Sequence, residues 1–136
     1  DASDLEQLVD DYRRAGLPVT TAWTSEALSI NGPVGTAVHR IAREALANVA
    51  RHASGNSVEL VLELLDDSRG RAVRIEVSDH GRLPPRQLRP GGFGIVGMRE
   101  RMRQMGGRFQ IRKPEEGTGT IVEAFIPATN AAALSA

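Results

Sequence analysis

The sequence contains no cysteine and no long run of apolar residues. Without cysteine the chain has no disulfide and no thiolate metal site, and it suits a reducing compartment. Spanning a bilayer takes roughly 20 consecutive apolar residues, a length that no segment approaches, and no signal peptide opens the chain. These absences predict a cytoplasmic domain and leave open whether the parent protein is anchored in the cell membrane.

Net charge and aromatic residues are scarce as well. Seventeen basic and seventeen acidic residues cancel to a net charge of +0, and aromatic residues make up 4% of the chain. Nucleic-acid-binding proteins usually carry a basic surface and aromatic side chains on which bases stack, so we expect no nucleic-acid partner. Lys113 is the only lysine and lies far from any G-x-x-x-x-G-K-S/T pattern, which excludes the phosphate-binding loop that this motif marks.

The hydrophobic pattern predicts three helices and five strands. Apolar residues recur at helical spacing in ASDLEQLVDDYRRAG, which Gly16 is placed to end, and in NGPVGTAVHRIAREALANVARHASGN. A third helix is predicted from about Ile95 to Met105. Strands are predicted for PVTTAWT, SVELVLELL, RAVRIEVSD, RFQIR and TIVEAFIP, and the one-sided alternation of RAVRIEVSD indicates a sheet with one solvated face. The predicted fold is an α/β two-layer sandwich, a mixed and largely antiparallel sheet with three helices on one face.

The chain length of 136 residues suits one domain. We assign this domain to residues 1–127. Residues 128–136 form a low-complexity tail for which we expect disorder. The chain opens directly on a helical pattern, which indicates a domain taken from a longer protein.

The stretch PGGFGIVGMRERM contains Gly92, Gly94 and Gly97 in the spacing G-x-G-x-x-G. A dinucleotide-binding turn requires a buried strand immediately before the first glycine, but here a proline-rich polar segment precedes it. Two interpretations remain open at this point. The glycines could let the backbone approach an anion at a helix N-terminus, or they could serve only to reverse the chain.

The long predicted helix carries a polar row beside its apolar face, formed by Arg40, Glu44, Asn48 and Arg51. A neutral oxygen such as that of Asn48 is a suitable single ligand for Mg²⁺, which keeps most of its waters. Glu44 lies one turn earlier, where a general base could stand, and Arg51 one turn later, where it could meet a phosphate. The alternative interpretation is a solvated helix edge. His52 falls on the apolar side, where a packed core histidine is the expected role.

The stretch VSDHG places Asp79 where a predicted strand stops, and Gly81 follows two residues later. A carboxylate can accept a hydrogen bond from the exocyclic amine of adenine, and a glycine lets the backbone approach a flat ring. The alternative is an Asx-turn that ends the strand, which is a common structural role for aspartate.

Taken together and in order, REALANVARHA, DHG, GGFGIVGMRERM and GTGTIVEAFIP resemble the N, G1 and G2 boxes and the closing strand of sensor histidine kinase catalytic domains. The match is to the nitrate-sensor-like subgroup of bacterial two-component kinases, within the superfamily that also holds gyrase B, Hsp90 and MutL. The resemblance covers roughly Leu5 to Pro127. It implies a Bergerat ATP-binding sandwich, which agrees with the layers predicted above.

The resemblance also implies roles for individual residues. Asn48 would bind Mg²⁺ and Glu44 would be the catalytic acidic residue, while Asp79 would bind the adenine amine with Gly81 beside the ring. Leu83 to Phe93 would form the lid over the triphosphate. The remaining nucleotide-binding positions implied by the motifs are Arg51, His52, Gly92, Gly94, Ile95, Val96, Gly97, Met98 and Thr120.

Two departures from the family pattern stand in the G1 box. His80 replaces the usual asparagine and Leu83 replaces a second glycine. The Asp79 contact should survive both changes, but they affect the expected lid mobility and nucleotide affinity.

The phosphoacceptor histidine of this family lies on a separate dimerisation domain, beside an acidic residue. None of His39, His52 and His80 fits that description, so this chain is expected to be the catalytic half only. The expected partners are ATP, the dimerisation domain of the parent kinase and, through it, a response regulator. The isolated domain is expected to be a monomer and the parent a homodimer. Two alternatives on the same fold are an anti-sigma-factor serine kinase and a non-catalytic adenine-nucleotide module.

Overall fold

A computed structural model describes residues 2–52, 57–67, 70–79, 93–115 and 119–128 of the chain. It contains four helices and five strands in these ranges. In chain order they are α1 (Ala2–Arg14), β1 (Val19–Trp23), α2 (Ser25–Leu28), α3 (Gly32–His52), β2 (Val58–Asp67), β3 (Gly70–Asp79), α4 (Phe93–Gln104), β4 (Arg108–Arg112) and β5 (Thr120–Pro127).

The five strands form one mixed sheet in the order β1-β2-β3-β5-β4. β1 runs parallel to β2, and the other three pairings are antiparallel. β3 therefore lies in the centre and β4 at one edge. The pairing of β3 with β5 sets Asp79 opposite Thr120, at the end of the sheet where β3 finishes.

One face of the sheet is covered by helices and the other is polar. On β3 the residues Val73, Ile75 and Val77 are buried, while Arg74 and Glu76 between them lie on the opposite face. Helix α3 packs on β3 and β5, α2 on β2, α4 on β4 and α1 on β1 and α3. The largest fully buried side chains of this single core are Ile41, Leu46, Leu60, Ile75, Met98, Met102 and Ile126.

Two helices end in glycines that adopt the left-handed backbone conformation. After α1, Gly16 has φ 102° and its N–H bonds to the carbonyl of Arg13, while the N–H of Leu17 bonds to that of Tyr12. After α4, Gly106 has φ 75°, and the N–H of Gly107 bonds to the carbonyl of Met102 at 2.7 Å. Both are Schellman motifs, in which glycine avoids the steric cost that a side chain would pay at positive φ.

The polar face of the sheet carries an ion-pair network centred on Arg74. Its guanidinium bonds to Glu123 at 2.7 Å, to Glu63 at 2.9 Å and to Glu76. Burial alone would raise the pKa of Glu123, but hydrogen bonds from Gln110 and Arg74, with the charges of Arg74 and Arg112, outweigh it and hold that pKa below its ordinary value. The network thus keeps a carboxylate charged although its side chain is only 7% exposed.

The predicted fold is confirmed, with local differences. The short helix α2 was not predicted. It begins after Thr24, whose side chain accepts a hydrogen bond from the N–H of Ala27 at 3.1 Å and so caps the helix. Helix α4 begins at Phe93 rather than near Ile95 and ends at Gln104.

Ala128, the first residue of the predicted tail, is buried instead of disordered, and its N–H bonds to the carbonyl of Arg71 at 2.8 Å. The lid residues before Phe93, and residues 129–136, lie outside the described residues.

None of the helices in the described ranges is both long and apolar enough to cross a membrane.

Candidate functional site

The second half of α3 carries the predicted polar row. Ala45, Leu46 and Val49 are fully buried on the core side of this helix. Asn48 is also buried, with 2% of its surface exposed, whereas Glu44 one turn earlier is half-buried. Residues four apart lie on one helix face, so Glu44 and Asn48 share the boundary between the core and the surface. Asn48 has an interaction partner. Burying its amide without a hydrogen bond would cost free energy, so we infer that the partner fixes the orientation of this side chain.

At the end of the central strand, Asp79 is 3% exposed and its register partner Thr120 is 2% exposed. Both side chains have interaction partners. On β3 the inward positions alternate from Val73 through Ile75 and Val77 to Asp79, so the carboxylate points into the layer between sheet and helices. Carboxylates are rarely buried unless they are paired or hydrogen-bonded. The burial of Asp79 therefore marks this strand end as a candidate binding position.

Helix α4 begins after the segment 80–92 and packs against α3 and β4. Gly97 on its first turns is exposed, and a Cβ built on it would meet no atom within 4 Å. Its φ is not positive, and it lies within helix α4, as the predicted helix from about Ile95 implied. An open surface on the helix remains its distinguishing feature.

Met98, one of the nucleotide-binding positions implied by the motifs, has a side chain that lies in the core. It is 1% exposed and belongs to the hydrophobic core with Met102, one turn along α4. Its side chain therefore helps to hold α4 against the core. This packing fixes the position of the α4 N-terminal turns relative to Asn48.

The other predicted positions are only partly described. Gly94, Ile95 and Val96 lie in the first turn of α4, and Arg51 and His52 in the last turn of α3, but their side chains are outside the described part of the structure. Gly81 and Gly92 lie outside the described residues. Within the described residues, α3 packs against β3, β5 and α4, the elements that carry Asp79, Thr120 and Gly97.

The chemistry of this region is that of oxygen ligands. It offers a carboxamide at Asn48, a hydroxyl at Thr120 and carboxylates at Glu44 and Asp79, which suit a hard cation or the hydrogen-bond donors of a base. Among the described residues, no three of the types histidine, cysteine, aspartate and glutamate are grouped as a metal site.

Two clefts lie away from this region, and the sequence patterns indicated neither. One, of about 480 Å³, lies between α1 and the first half of α3 and includes Asp4, Asp11, Asn31 and His39 in its lining. The other, of about 410 Å³, lies between α4 and β4. Each joins residues from distant parts of the chain, so local spacing could not reveal them.

Comparison with known proteins places the chain in a family. A model described as "Histidine kinase-, DNA gyrase B-, and HSP90-like ATPase" matches residues 34–130. The chain is 29% identical over 124 residues to the sensor histidine kinase LiaS of Bacillus subtilis, covering 90% of this chain and 33% of LiaS. It is 32% identical over 98 residues to the nitrate/nitrite sensor protein NarX of Escherichia coli, covering 70% of this chain and 16% of NarX. The chain therefore spans a third or less of these relatives.

Solved structures share the fold. The histidine kinase domain of the blue-light activated histidine kinase of Erythrobacter litoralis EL346 matches with a TM-score of 0.60 at 21% identity, over 90% of this chain and 57% of that one. Full-length ShkA in complex with AMPPNP matches with a TM-score of 0.63 at 18% identity, over 93% of this chain and 29% of that one.

The family model covers most of the chain, from the start of α3 to the end of β5. It thus includes the helix of Asn48, the strand end of Asp79 and the glycines of α4. The resemblance drawn from these motifs is confirmed. This chain belongs to the histidine kinase-, DNA gyrase B- and HSP90-like ATPase family, and its named relatives are sensor histidine kinases.

Proposed function

We propose that this domain binds Mg-ATP and transfers the γ-phosphoryl group to a histidine on a separate dimerisation domain, in two-component signal transduction. The observation that carries the proposal is the buried pair Asp79 and Thr120 at the end of the central sheet, next to the helix that presents buried Asn48. Family membership supports ATP as the nucleotide.

Asp79 is the proposed adenine-binding residue. Its carboxylate accepts a hydrogen bond from the exocyclic amine of adenine and would repel the carbonyl oxygen that guanine carries at the same position. A hydrogen bond to a charged group contributes roughly 1.5–3 kcal/mol. Thr120 lies opposite Asp79 and supplies a hydroxyl at the same strand end, while Gly81 would let the ring approach the backbone.

Asn48 is the proposed Mg²⁺ ligand, because its amide oxygen is a hard donor held in a nearly closed environment. The ion, when bound, neutralises phosphate charge and orients the γ-phosphoryl group. Arg51, His52 and the glycines Gly92, Gly94 and Gly97 complete the proposed phosphate-binding region, with Ile95, Val96 and Met98 contributing backbone at the start of α4.

Glu44 is the proposed catalytic residue. It is half-buried one turn before Asn48, so it shares the helix face that would meet the phosphates. In the transfer a bond forms between phosphorus and the imidazole nitrogen, the bond from phosphorus to the bridging oxygen breaks, and ADP leaves. A carboxylate there is suited to accept the imidazole proton or to orient the acceptor.

The acceptor is expected from another domain. His39 is half-buried and lines the cleft between α1 and α3, in the first half of the helix. It is nine residues from Asn48, which corresponds to about 13 Å along a helix axis. Since phosphoryl transfer needs the acceptor nitrogen in line with the γ-phosphate, this histidine is badly placed. The proposed partners are therefore the dimerisation domain of a homodimeric, cytoplasmically facing kinase and its response regulator.

The decisive experiment incubates the chain with γ-³²P-labelled ATP and Mg²⁺, first alone and then with the histidine-bearing dimerisation domain. The chain alone should remain unlabelled, and the added domain should acquire acid-labile, base-stable label, as phosphohistidine does. Acid-stable label on a serine would instead indicate a serine kinase. Label on His39, His52 or His80 of the chain alone would contradict the proposed division of labour.

A further inference from the structure

A cleft of about 410 Å³ lies between helix α4 and the edge strand β4, apart from the proposed nucleotide site. Helix α4 contributes two arginines to it, β4 contributes its first three residues, and β5 contributes one aromatic ring. The side chains that define it are Arg99, Arg103, Arg108, Phe109, Gln110 and Phe125.

The cleft is cationic and its arginines are arranged on aromatic rings. The guanidinium of Arg99 lies 5.8 Å from the ring centroid of Phe109, and that of Arg108 lies 4.7 Å from that of Phe125. Such stacking orients the guanidinium. Its N–H donors lie in the guanidinium plane and stay available to bond to a carboxylate. No residue that lines the cleft is acidic, so no lining carboxylate neutralises the positive charge of its arginines.

The nearest carboxylate on α4 does not neutralise this charge. Glu100 approaches Arg103 at 3.7 Å, but both side chains are largely exposed, at 61% and 76%. An exposed pair at this separation contributes little. On the sheet side, the amide nitrogen of Gln110 already donates to Glu123 at 2.6 Å. A local excess of positive charge thus stands on a chain whose formal net charge is +0.

The floor of the cleft is an open strand edge. β4 pairs with β5 on one side, and within the described residues no strand pairs with its other side. An edge strand presents backbone N–H and C=O groups to which another extended chain can bond. Arg99 and Phe109 lie on the α4 side of this edge, while Arg108 and Phe125 pair on the other face of the sheet.

We propose that this cleft docks an extended, acidic segment of a protein partner, which adds as a strand beside β4. Successive side chains of a strand point to opposite faces, so alternate residues of the segment would meet the arginines of α4 and then Arg108 with Phe125. Carboxylates on both faces of the docked segment would accept hydrogen bonds from the arginines. The rings of Phe109 and Phe125 would pack against the aliphatic parts of its side chains. The inference does not rest on the kinase activity, because neither nucleotide nor phosphoryl transfer enters it.

The test measures fluorescence anisotropy of a labelled peptide in which pairs of glutamates alternate with pairs of valines, so that carboxylates lie on both faces of the strand, added to the full chain without nucleotide. The wild-type chain should bind it, with affinity that falls as salt rises. The double variant Arg99→Gln/Arg103→Gln should bind roughly tenfold more weakly, since charge-assisted bonds are the stronger class. Arg101→Gln is the matched control, an exposed arginine of the same helix that does not line the cleft, and it should bind as wild type.

Three further arms decide between occupants. A peptide with proline in its centre should lose binding, because proline lacks the N–H that a strand donates, and hydrogen exchange of residues 108–112 should slow only with the intact peptide. Equal binding by Arg99→Gln/Arg103→Gln and Arg101→Gln, with both variants folded by circular dichroism, would overturn the proposal. So would tighter binding of a charge-matched single-stranded oligonucleotide, which would assign the cleft to nucleic acid.

Discussion

Asp79 and Thr120 face each other across the antiparallel pairing of β3 and β5, and both are almost completely buried. Directly opposed residues in such a pair have Cβ atoms roughly 4.5–5.5 Å apart. A carboxylate and a hydroxyl are thereby fixed side by side on strands held from both sides, β3 by β2 and β5 by β4. Precision of this kind is suited to recognising one base, because neither group can move away from a mismatched ligand.

Asp79→Asn is expected to weaken ATP binding at least about tenfold, the equivalent of losing a hydrogen bond to a charged group. The amide removes the charge and can present a donor where adenine also presents one. Isothermal titration calorimetry measures the loss, and the thermal midpoint reports the fold. Asp66→Asn, on an exposed side chain of β2, is the matched control. An affinity within twofold of wild type would remove Asp79 from the adenine site.

Asn48→Ala is expected to abolish the Mg²⁺ dependence of nucleotide binding more than it reduces binding itself, because the nucleotide keeps its contacts to the base. The change also leaves a partner of a buried amide unsatisfied, which costs about 1–3 kcal/mol of unfolding free energy. Titrations of ATP with Mg²⁺ and with EDTA separate the two effects. Asn31→Ala at the start of α3 serves as control. If ATP affinity depended on Mg²⁺ equally in Asn48→Ala and in wild type, Asn48 would not be a Mg²⁺ ligand and its role would be structural.

Gly97→Val is expected to reduce ATP affinity several-fold or more while leaving the thermal midpoint within a few degrees of wild type. A Cβ at Gly97 would meet no atom within 4 Å in the protein itself, so we expect the fold to tolerate the added side chain and a ligand close to this backbone to be obstructed. Gly94→Val, one turn earlier in the same motif, is expected to reduce affinity in the same way.

Gly107→Ala is the contrasting change. A Cβ there would lie 2.4 Å from the carbonyl oxygen of Phe125, so it should lower stability. If Gly97→Val lowered the thermal midpoint as much as Gly107→Ala, its loss of ATP affinity would reflect unfolding. The proposed obstruction of the phosphates at Gly97 would then be contradicted.

Stability should fall in acid partly through Glu123. Its pKa is held below the ordinary value of 4.5 in the folded state, so the folded state binds fewer protons than the unfolded state. The stabilisation is complete above pH 4.5 and is lost as pH falls through the folded-state value. Urea unfolding of wild type should therefore show a decrease below pH 4.5 that is shallower in Glu123→Gln. Parallel profiles would contradict the assignment of this acid sensitivity to the Arg74 network.

The layer architecture and most elements could be predicted from sequence, because they follow from local spacing. Alternation in β3 and the helical period in α3 each depend on residues within a few positions of one another, and Gly16 marks a helix end by its own backbone preference. The family motifs extended this to the site, since they specify which residues act together without the distances between them.

The features that the sequence did not predict are of two kinds. Some depend on contacts between distant parts of the chain, and others are very short elements. α2 is a single turn whose start is marked only by Thr24, too short for a hydrophobic period. The cleft of Arg99, Arg108 and Phe125 forms only when α4, β4 and β5 pack together.

The pairing of β3 with β5 also has a consequence for how the protein folds. β2 with β3, and β4 with β5, join strands that are near neighbours in sequence, but Asp79 meets Thr120 only after roughly 40 residues of chain have been closed into place. Contacts across such separations form late, so an incompletely folded chain has both residues without the juxtaposition that we propose recognises the base. A ligand that requires their juxtaposition binds the finished domain alone. Its binding energy then adds to the stability of the whole fold by mass action, which makes nucleotide occupancy a measure of completed folding.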